Sequence, residues 1–558
     1  MTDITSRLSK LNPFSKSDEE SDDDVGEEID NSTVAGGGHA ATHKNSTLRV
    51  SPALRAFMAH ESLPSAEELL EKSHIRVPAS VSDRSHPLPE YFVSSSHNTY
   101  LMAHQLFGSS NATAYETALN TGSRCVEIDA WDGDDDKDEP KVTHGYTLVS
   151  NIHFRVVCET IRDVMDQEAG RGVRAAPIML SLENHCGGHG QMRLAQIMRE
   201  VFGERLVDRA VEADGLNPAE YIPLEAIGSK VVVIVEYHYP DEPKDSSSSS
   251  SSSSSEDEEE KQGRHQYKQK KKEGPPPKII AELAELGVYA QSVKPKDNSW
   301  FDPGELTDAP HHHLINVSET GLSSHLPANN LKISMHNSKH LMRVYPKGTR
   351  ISSRNLNPVP FWGLGAQICA LNWQTFSHSM QINDALFAGT DGYVLKPAAL
   401  RAGGSGILNT GSKKTLRLKV AGATDIPIPK SRDGDEPMKP YLTCTLIHPD
   451  NLKGKPPKRK TSAYKEHKLG FLHRDDAKSP PTDPVWDQTL EWTYDDNELV
   501  LLRMLIKSDD GFSRNPKLAV SAVRIMYLVP GWSFIRMLDL HGHETACSLL
   551  VKFEIEDA

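Results

Sequence analysis

Arg124-Cys125-Val126-Glu127-Ile128-Asp129-Ala130-Trp131-Asp132 is the stretch on which the fold turns. Side chains alternate across a strand, so Val126 and Ile128 share one face while Glu127 and Asp129 share the other. The apolar face asks for a packed neighbour, and two carboxylates opposite it ask for an enclosed polar site. On either side of this stretch, similar short apolar runs recur at residues 91–95, 178–183 and 231–236. Between them, apolar residues over 158–166 and 191–202 follow helical spacing. Strand signals resume after a gap, at 314–317, 341–345, 367–372 and 393–395. About eight strands alternating with helices point to a TIM-like α/β barrel, with a doubly wound sheet almost as compatible on composition alone.

The gap has its own chemistry. Residues 241–277 hold an unbroken serine run (246–255), five acids at 256–260, a basic run at 268–272 and Pro275-Pro276-Pro277. Such a segment has almost nothing to bury and reads as a disordered linker between two barrel halves. Residues 1–48 read as a disordered acidic tail, and 49–88 as a short helical region in which Ser65 and Glu68 form a capping box. Past the Gly-rich stretch 402–413, Leu416, Leu418 and Val420 alternate, as do Leu442, Cys444 and Leu446. That pattern marks an all-β sandwich over 414–558.

Acids outnumber bases 77 to 62, for a formal charge of −15, and two acidic runs at 18–30 and 256–260 carry nearly all of it. The folded remainder is close to neutral, which argues against a nucleic-acid-binding face. No apolar stretch approaches the ~20 residues of a membrane span. The opening MTDITSRLSK lacks the apolar centre of a secretory signal, and the cysteines show no C-x-x-C spacing. Both features fit a cytoplasmic protein with reduced thiols.

Polar residues gather at strand ends, where an α/β barrel converges its active face. His97 and Asn98 follow residues 92–96, His144 follows 141–143, and Glu183 closes 178–182. Three carboxylates and an amide oxygen are hard ligands suited to Ca²⁺ or Mg²⁺. Two histidines beside them can carry protons near neutral pH. One acid in a strand is usually a solvated face residue, but two in one apolar strand with a third nearby suggest a metal-assisted hydrolase. The run 132–139 imitates a calcium loop, yet Lys137 stands where glycine is needed and Thr143 where the last glutamate belongs. It reads as an acidic loop near the site, and His311-His312-His313 as a loop entering the sixth strand.

Taken together, Tyr91-Phe-Val-Ser-Ser-Ser-His-Asn-Thr-Tyr100, the stretch 124–132, His144-Gly-Tyr-Thr147 and Ser181-Leu-Glu-Asn-His185 resemble the X-box of eukaryotic phosphoinositide-specific phospholipase C. Arg343-Val-Tyr-Pro346, Leu371-Asn-Trp-Gln-Thr375 and Gly392-Tyr-Val-Leu-Lys-Pro397 resemble its Y-box, and 414–556, with Asp483-Pro-Val-Trp-Asp487, its C2 domain. The resemblance, which is to the delta-like arrangement without pleckstrin-homology texture, implies an X half at 89–240, a Y half at 278–401 and an EF-hand remnant within 49–88. It further implies that Asn98, Glu127, Asp129 and Glu183 bind one catalytic Ca²⁺, with His97 and His144 catalytic. Arg343, Tyr345 and Asn316 would contact the substrate. The implied activity is hydrolysis of phosphatidylinositol 4,5-bisphosphate, or less phosphorylated phosphoinositides, to diacylglycerol and an inositol phosphate through a cyclic phosphodiester. An enzyme of this kind is expected to be cytoplasmic and peripheral at membranes, touching lipid through the barrel rim and the C2 domain.

The sequence also departs from that pattern. The strand 231–237, fifth when residues 141–143 are counted as one, usually carries two lysines for ring phosphates; Ile234 and Glu236 stand there instead. Asn316 replaces a family serine, while Lys439 and Ser508 replace two calcium-loop acids of the C2 domain. Weak discrimination among phosphoinositides follows as an expectation. A catalytically weak, phosphoinositide-binding scaffold is the competing reading, and a Mg²⁺-dependent glycerophosphodiesterase is disfavoured by the Y-box and C2 matches.

Overall fold

A computed structural model describes residues 26–34, 45–102, 111–143, 151–172, 175–211, 221–238, 278–295, 297–302, 306, 308–347, 354–428, 438–450, 456–465, 479–509 and 516–558. Eight parallel strands close into a barrel: β1 (Tyr91–His97), β2 (Cys125–Trp131), β3 (Ile178–Asn184), β4 (Val231–Tyr237), β5 (Gln291–Val293), β6 (His313–Ser318), β7 (Leu341–Tyr345) and β8 (Ile368–Asn372). The ring closes where β1 pairs with both β8 and β2. Two readings of the strands need correction. Tyr393–Leu395 is a strand, but it runs antiparallel against β1 rather than in the ring. Lys141–Val142 likewise pairs antiparallel with the end of β2, so Val231–Tyr237 is fourth, and the fifth is the three-residue β5. A strand that short shows no periodicity to detect.

Alternation sorts each strand into two environments. Val126, Ile128, Leu180, Leu182, Val233 and Val235 pack with the helices Phe154–Gly170 and Gly188–Phe202. Val93, Cys125, Met179, Val232, Ile234, Leu314, Leu341 and Ile368 form a separate core inside the ring. By the same parity, Glu127, Asp129, Glu183, Glu236, Asn316, Arg343 and Tyr345 belong to the inner face, stacked above that core. The linker expected over 241–277 lies outside the described residues.

Eight antiparallel strands from Lys413–Thr424 to Glu544–Asp557 form the second body, a sandwich consistent with a C2 domain. Leu416, Leu418 and Val420 meet Leu442, Cys444 and Leu446 in a core that continues into barrel residues Met380, Leu386 and Phe387. Arg503 donates to Gln381 at 2.7 Å, and the Tyr527 hydroxyl donates to the Leu386 carbonyl at 3.1 Å across the same junction. At one end of the sandwich, Asp425 and Asp483 both accept from the Arg49 guanidinium, at 2.6 and 2.7 Å. The Lys439 amide donates to Ser508 Oγ at 3.0 Å. All six cysteines are buried and unbridged.

Residues 26–34 differ from their reading as part of an acidic tail, while 1–25 and 35–44 of that tail lie outside the described residues. Residues 26–34 lie against both bodies, with Glu28 bridged antiparallel to Thr375. Helices Pro52–His60 and Ala66–Glu71 lay Leu54, Phe57 and Leu69 onto Ala421, Val485, Phe534 and Leu550 of the sandwich. Ser65 caps the second helix by accepting from the Glu68 amide at 3.1 Å.

His313 opens β6 as read, and the barrel buries it with two other histidines. Its Nε2 lies 3.0 Å from Nε2 of His336, and its ring stacks on His340 at 3.9 Å. Burial pulls His313 and His336 down to about 4 and His340 down to about 2. These rings are neutral in the fold, whereas the unfolded chain binds their protons below about pH 6.5. Stability from this cluster is therefore intact at neutral pH and lost as pH falls from 6.5 towards 4, at up to about 1.4 kcal/mol per pH unit for each ring. Melting temperature measured from pH 7 to 5 should fall, and His336→Gln should flatten that slope. An unchanged slope would contradict this account.

Candidate active site

The register of β2 and β3 builds the acidic cluster. Asp129 and Glu183 are Cα partners, and Glu127 sits one inward step lower opposite Ser181. One carboxylate oxygen from each of Glu127, Asp129 and Glu183 lies within 4.8 Å of the others. Glu127 and Asp129 are buried, while Glu183 is exposed and meets His185 Nε2 at 3.2 Å. His185 in turn stacks flat on Trp131, with ring centroids 4.1 Å apart.

Asn98 reaches the cluster through an unusual backbone. Its φ of +45° lies in the left-handed region, which asparagine tolerates better than most residues. That turn aims the Asn98 amide at Glu127 Oε2, 2.7 Å away. The Tyr100 hydroxyl reaches both Asp129 Oδ2 (2.7 Å) and Asn98 Oδ1 (3.2 Å). Thr99 Oγ1 accepts from the Glu127 amide at 3.0 Å. The residues just past the end of β1 thus hold both carboxylates of β2.

His97 closes the other side. Its Nδ1 bonds Asn372 Oδ1 at 2.8 Å, and Nε2 points towards Glu127 Oε2 at 3.9 Å. Asn372 donates through Nδ2 to the Arg354 carbonyl at 3.1 Å, which leaves its Oδ1 to accept from His97. The proton therefore sits on Nδ1 and Nε2 faces the site. Burial holds the His97 pKa below its ordinary value, opposed by Glu127 and reinforced by Arg343. Arg343, fully buried on β7, pairs with Glu127 Oε1 at 2.7 Å, donates to Asn316 at 3.1 Å and lies over the Tyr345 ring.

Most of the residues singled out in the sequence therefore converge: His97, Asn98, Glu127, Asp129 and Glu183 meet, and Arg343, Asn316 and Tyr345 form the adjoining wall. His144 lies outside the described residues. Ile234 belongs to the apolar core below the site. Glu236 lies two residues further along β4 on the same face, with His238 Nε2 at 3.6 Å. Tyr100 and Asn372 escaped the sequence reading as functional residues. Tyr100 was within the quoted motif, but its reach to Asp129 depends on the turn at Asn98. Asn372 becomes significant only once β8 is paired to β1, opposite His97.

Comparison with known proteins agrees with this geometry. Residues 84–237 match the family model for the phosphatidylinositol-specific phospholipase C X domain, and 283–399 match that for the Y domain. A Candida albicans 1-phosphatidylinositol 4,5-bisphosphate phosphodiesterase 1 is 32% identical over 85% of this chain and 48% of its own length. The Mus musculus delta-3 phosphodiesterase is 34% identical over 85% of this chain and 58% of its own length. The chain thus spans about half the length of these curated relatives. The crystal structure of L. pealei PLC21 superposes with a TM-score of 0.66 at 25% identity, covering 86% of this chain and 58% of that one. Both catalytic halves are thus matched in order around one closed barrel: the chain carries the X and Y domains of phosphatidylinositol-specific phospholipase C and is similar over most of its length to the delta-type phosphodiesterases.

Proposed function

We propose that this chain is a Ca²⁺-dependent phosphoinositide phospholipase C acting at the cytoplasmic surface of membranes. The observation that carries the reading is the meeting of Glu127, Asp129 and Glu183 with His97 on one inner face of the barrel. The donor set suits a divalent cation on three counts. Its donors are hard oxygens. Oxygens bound to one Ca²⁺ at ~2.4 Å lie no more than about 4.8 Å apart, and the three here lie within 4.8 Å of one another. Asp129 Oδ1 is buried without a hydrogen-bond partner. Burial, with Glu183 and Glu127 beside it, pushes the Asp129 carboxyl well above its usual range, so a positive charge is what this arrangement lacks.

Asn98, Glu127, Asp129 and Glu183 would hold the cation. Bound there, it would supply charge that stabilises a phosphoryl oxygen and acidifies the attacking inositol hydroxyl. The chain's own groups supply the rest. Either Glu127 or Asp129 takes the hydroxyl proton. His97, held by Asn372, presents Nε2 to the phosphodiester, whose negative charge raises the proton affinity that burial has lowered. The imidazole is then charged only with substrate present, and donates to the phosphoryl oxygen. His144 is assigned the proton for the departing diacylglycerol oxygen. Water opens the cyclic inositol phosphate with the proton roles reversed. Arg343, Tyr345 and Asn316 form the wall for the inositol ring. The scaffold alternative has no comparable observation of its own.

Substrate preference should reflect Glu236. A carboxylate on the inner face works against a headgroup with several phosphates. We expect phosphatidylinositol and its 4-phosphate to be cleaved comparably to the 4,5-bisphosphate. Inositol phosphate release from vesicles of each lipid, with Ca²⁺ and with chelator, tests both activity and preference. Release with chelator equal to that with Ca²⁺ would sink the proposal. Glu236→Lys should shift preference towards the bisphosphate by about ten-fold. An unaltered ratio would remove Glu236 from the account. Asp129→Asn relieves the crowding of like charges, so in chelator the variant should melt higher than wild type while being inactive in Ca²⁺. Ca²⁺ should raise the melting temperature of wild type and leave the variant nearly unmoved; equal gains in both would contradict the assigned donor set.

A further inference from the structure

Residues 26–34 carry a role that neither the catalytic site nor the acidic composition assigns. On one side this segment joins the barrel just past β8. Ile29 donates its amide to the Gln374 carbonyl at 2.9 Å, and Phe376 donates to the Glu27 carbonyl at 2.9 Å. On the other side it joins the sandwich hairpin between Gly531–Leu538 and Glu544–Asp557. The Glu27 amide donates to the Leu540 carbonyl and the Val34 amide to the Gly542 carbonyl, both at 3.1 Å. Side chains repeat the pattern, with His541 Nε2 at 2.5 Å from Glu27 and His543 Nε2 at 2.9 Å from Asp30. Ile29 and Val34 pack against the shared apolar core.

Gly26 shows how closely the segment is fitted. Its φ is +71°, and a Cβ built there would fall 2.4 Å from the Phe376 carbonyl carbon and 2.5 Å from the Ser377 nitrogen. Only glycine lets the two backbones approach in this way. The clamped turn adjoins the catalytic residues. Asn372 orients His97 two residues upstream, and the Gln374 side chain reaches the Asn98 carbonyl at 3.5 Å.

We propose that residues 26–34 are a positioning strap that fixes the 372–376 wall of the active site against the sandwich, so that turnover depends on the strap being seated. The inference rests on the proposed phospholipase activity. Glu27, Glu28 and Asp30 act here as anchors rather than as part of a solvated tail.

The anchoring depends on pH. His543 faces Asp30 and Ser32 from the strap and Asp539 from its own hairpin, and its ring stacks near His541, which faces Glu27. Burial works against its charge, but the Asp30 hydrogen bond and Asp539 outweigh burial and raise its pKa above the ordinary 6.5. The ionic part of the clasp is thus fully present below about pH 6.5 and fades as pH rises through the raised value.

Gly26→Val tests the strap without replacing a core or catalytic side chain. Amide hydrogen exchange should accelerate at residues 374–376. In the same variant, kcat should fall about ten-fold with KM within about two-fold. The loss should appear both on phosphatidylinositol vesicles and in hydrolysis of soluble cyclic inositol phosphate, with the melting temperature within about 2 °C of wild type. Deleting residues 1–34 should reproduce the loss. The variant His543→Gln keeps a hydrogen-bonding group without charge, so it should fall short of wild type at pH 6 and match it at pH 9. Faster exchange with unchanged kcat, or a loss confined to vesicles or to KM, overturns the proposal. A wild-type chain inactive on every lipid instead sinks the phospholipase reading beneath it, whereas an active chain whose kcat ignores Gly26→Val sinks the strap alone.

Discussion

Asp129 and Glu183 are register partners on adjacent parallel strands, with Glu127 one step below. Like charges held this closely in a dry barrel repel, and every surrounding contact reads as a response to that repulsion. Tyr100 donates to Asp129, the Asn98 amide donates to Glu127, and Arg343 pairs with Glu127 from across the ring. Glu183 alone keeps substantial exposure to water. The fold thus carries a deliberate charge imbalance at its mouth, and a barrel closed by hydrogen bonds all the way round is stiff enough to hold it.

That stiffness has two sources. Inside the ring, one apolar core fills the floor beneath the site; outside, the alternate residues of the same strands bind the helices. The acids are consequently the inward residues of strands whose other residues are committed to packing. Shifting any one of them would require a register slip, which would turn the apolar face of that strand into the site.

Much of this was legible from residue pattern. The alternation of Val126 and Ile128 with Glu127 and Asp129 disclosed the strand, its buried face and its chemistry together. What stayed hidden depended on contacts between distant segments. β5 is too short to show periodicity, and Tyr393–Leu395 looks like any barrel strand until its direction is known. Asn372 and Tyr100 matter through partners that only the folded register supplies. Residues 26–34 misled for a different reason. Acidic composition measures how little a segment can bury by itself, yet this one needs to bury little, because backbone pairing and two histidines hold it.

The apolar core that runs without a break from the sandwich into Met380, Leu386 and Phe387 has a mechanical meaning. Two bodies sharing one interior cannot swivel about a hinge between them without tearing that interior open. Any surface that gripped the sandwich would therefore set the tilt of the barrel mouth as a lever sets its load, at some distance from the acids inside it.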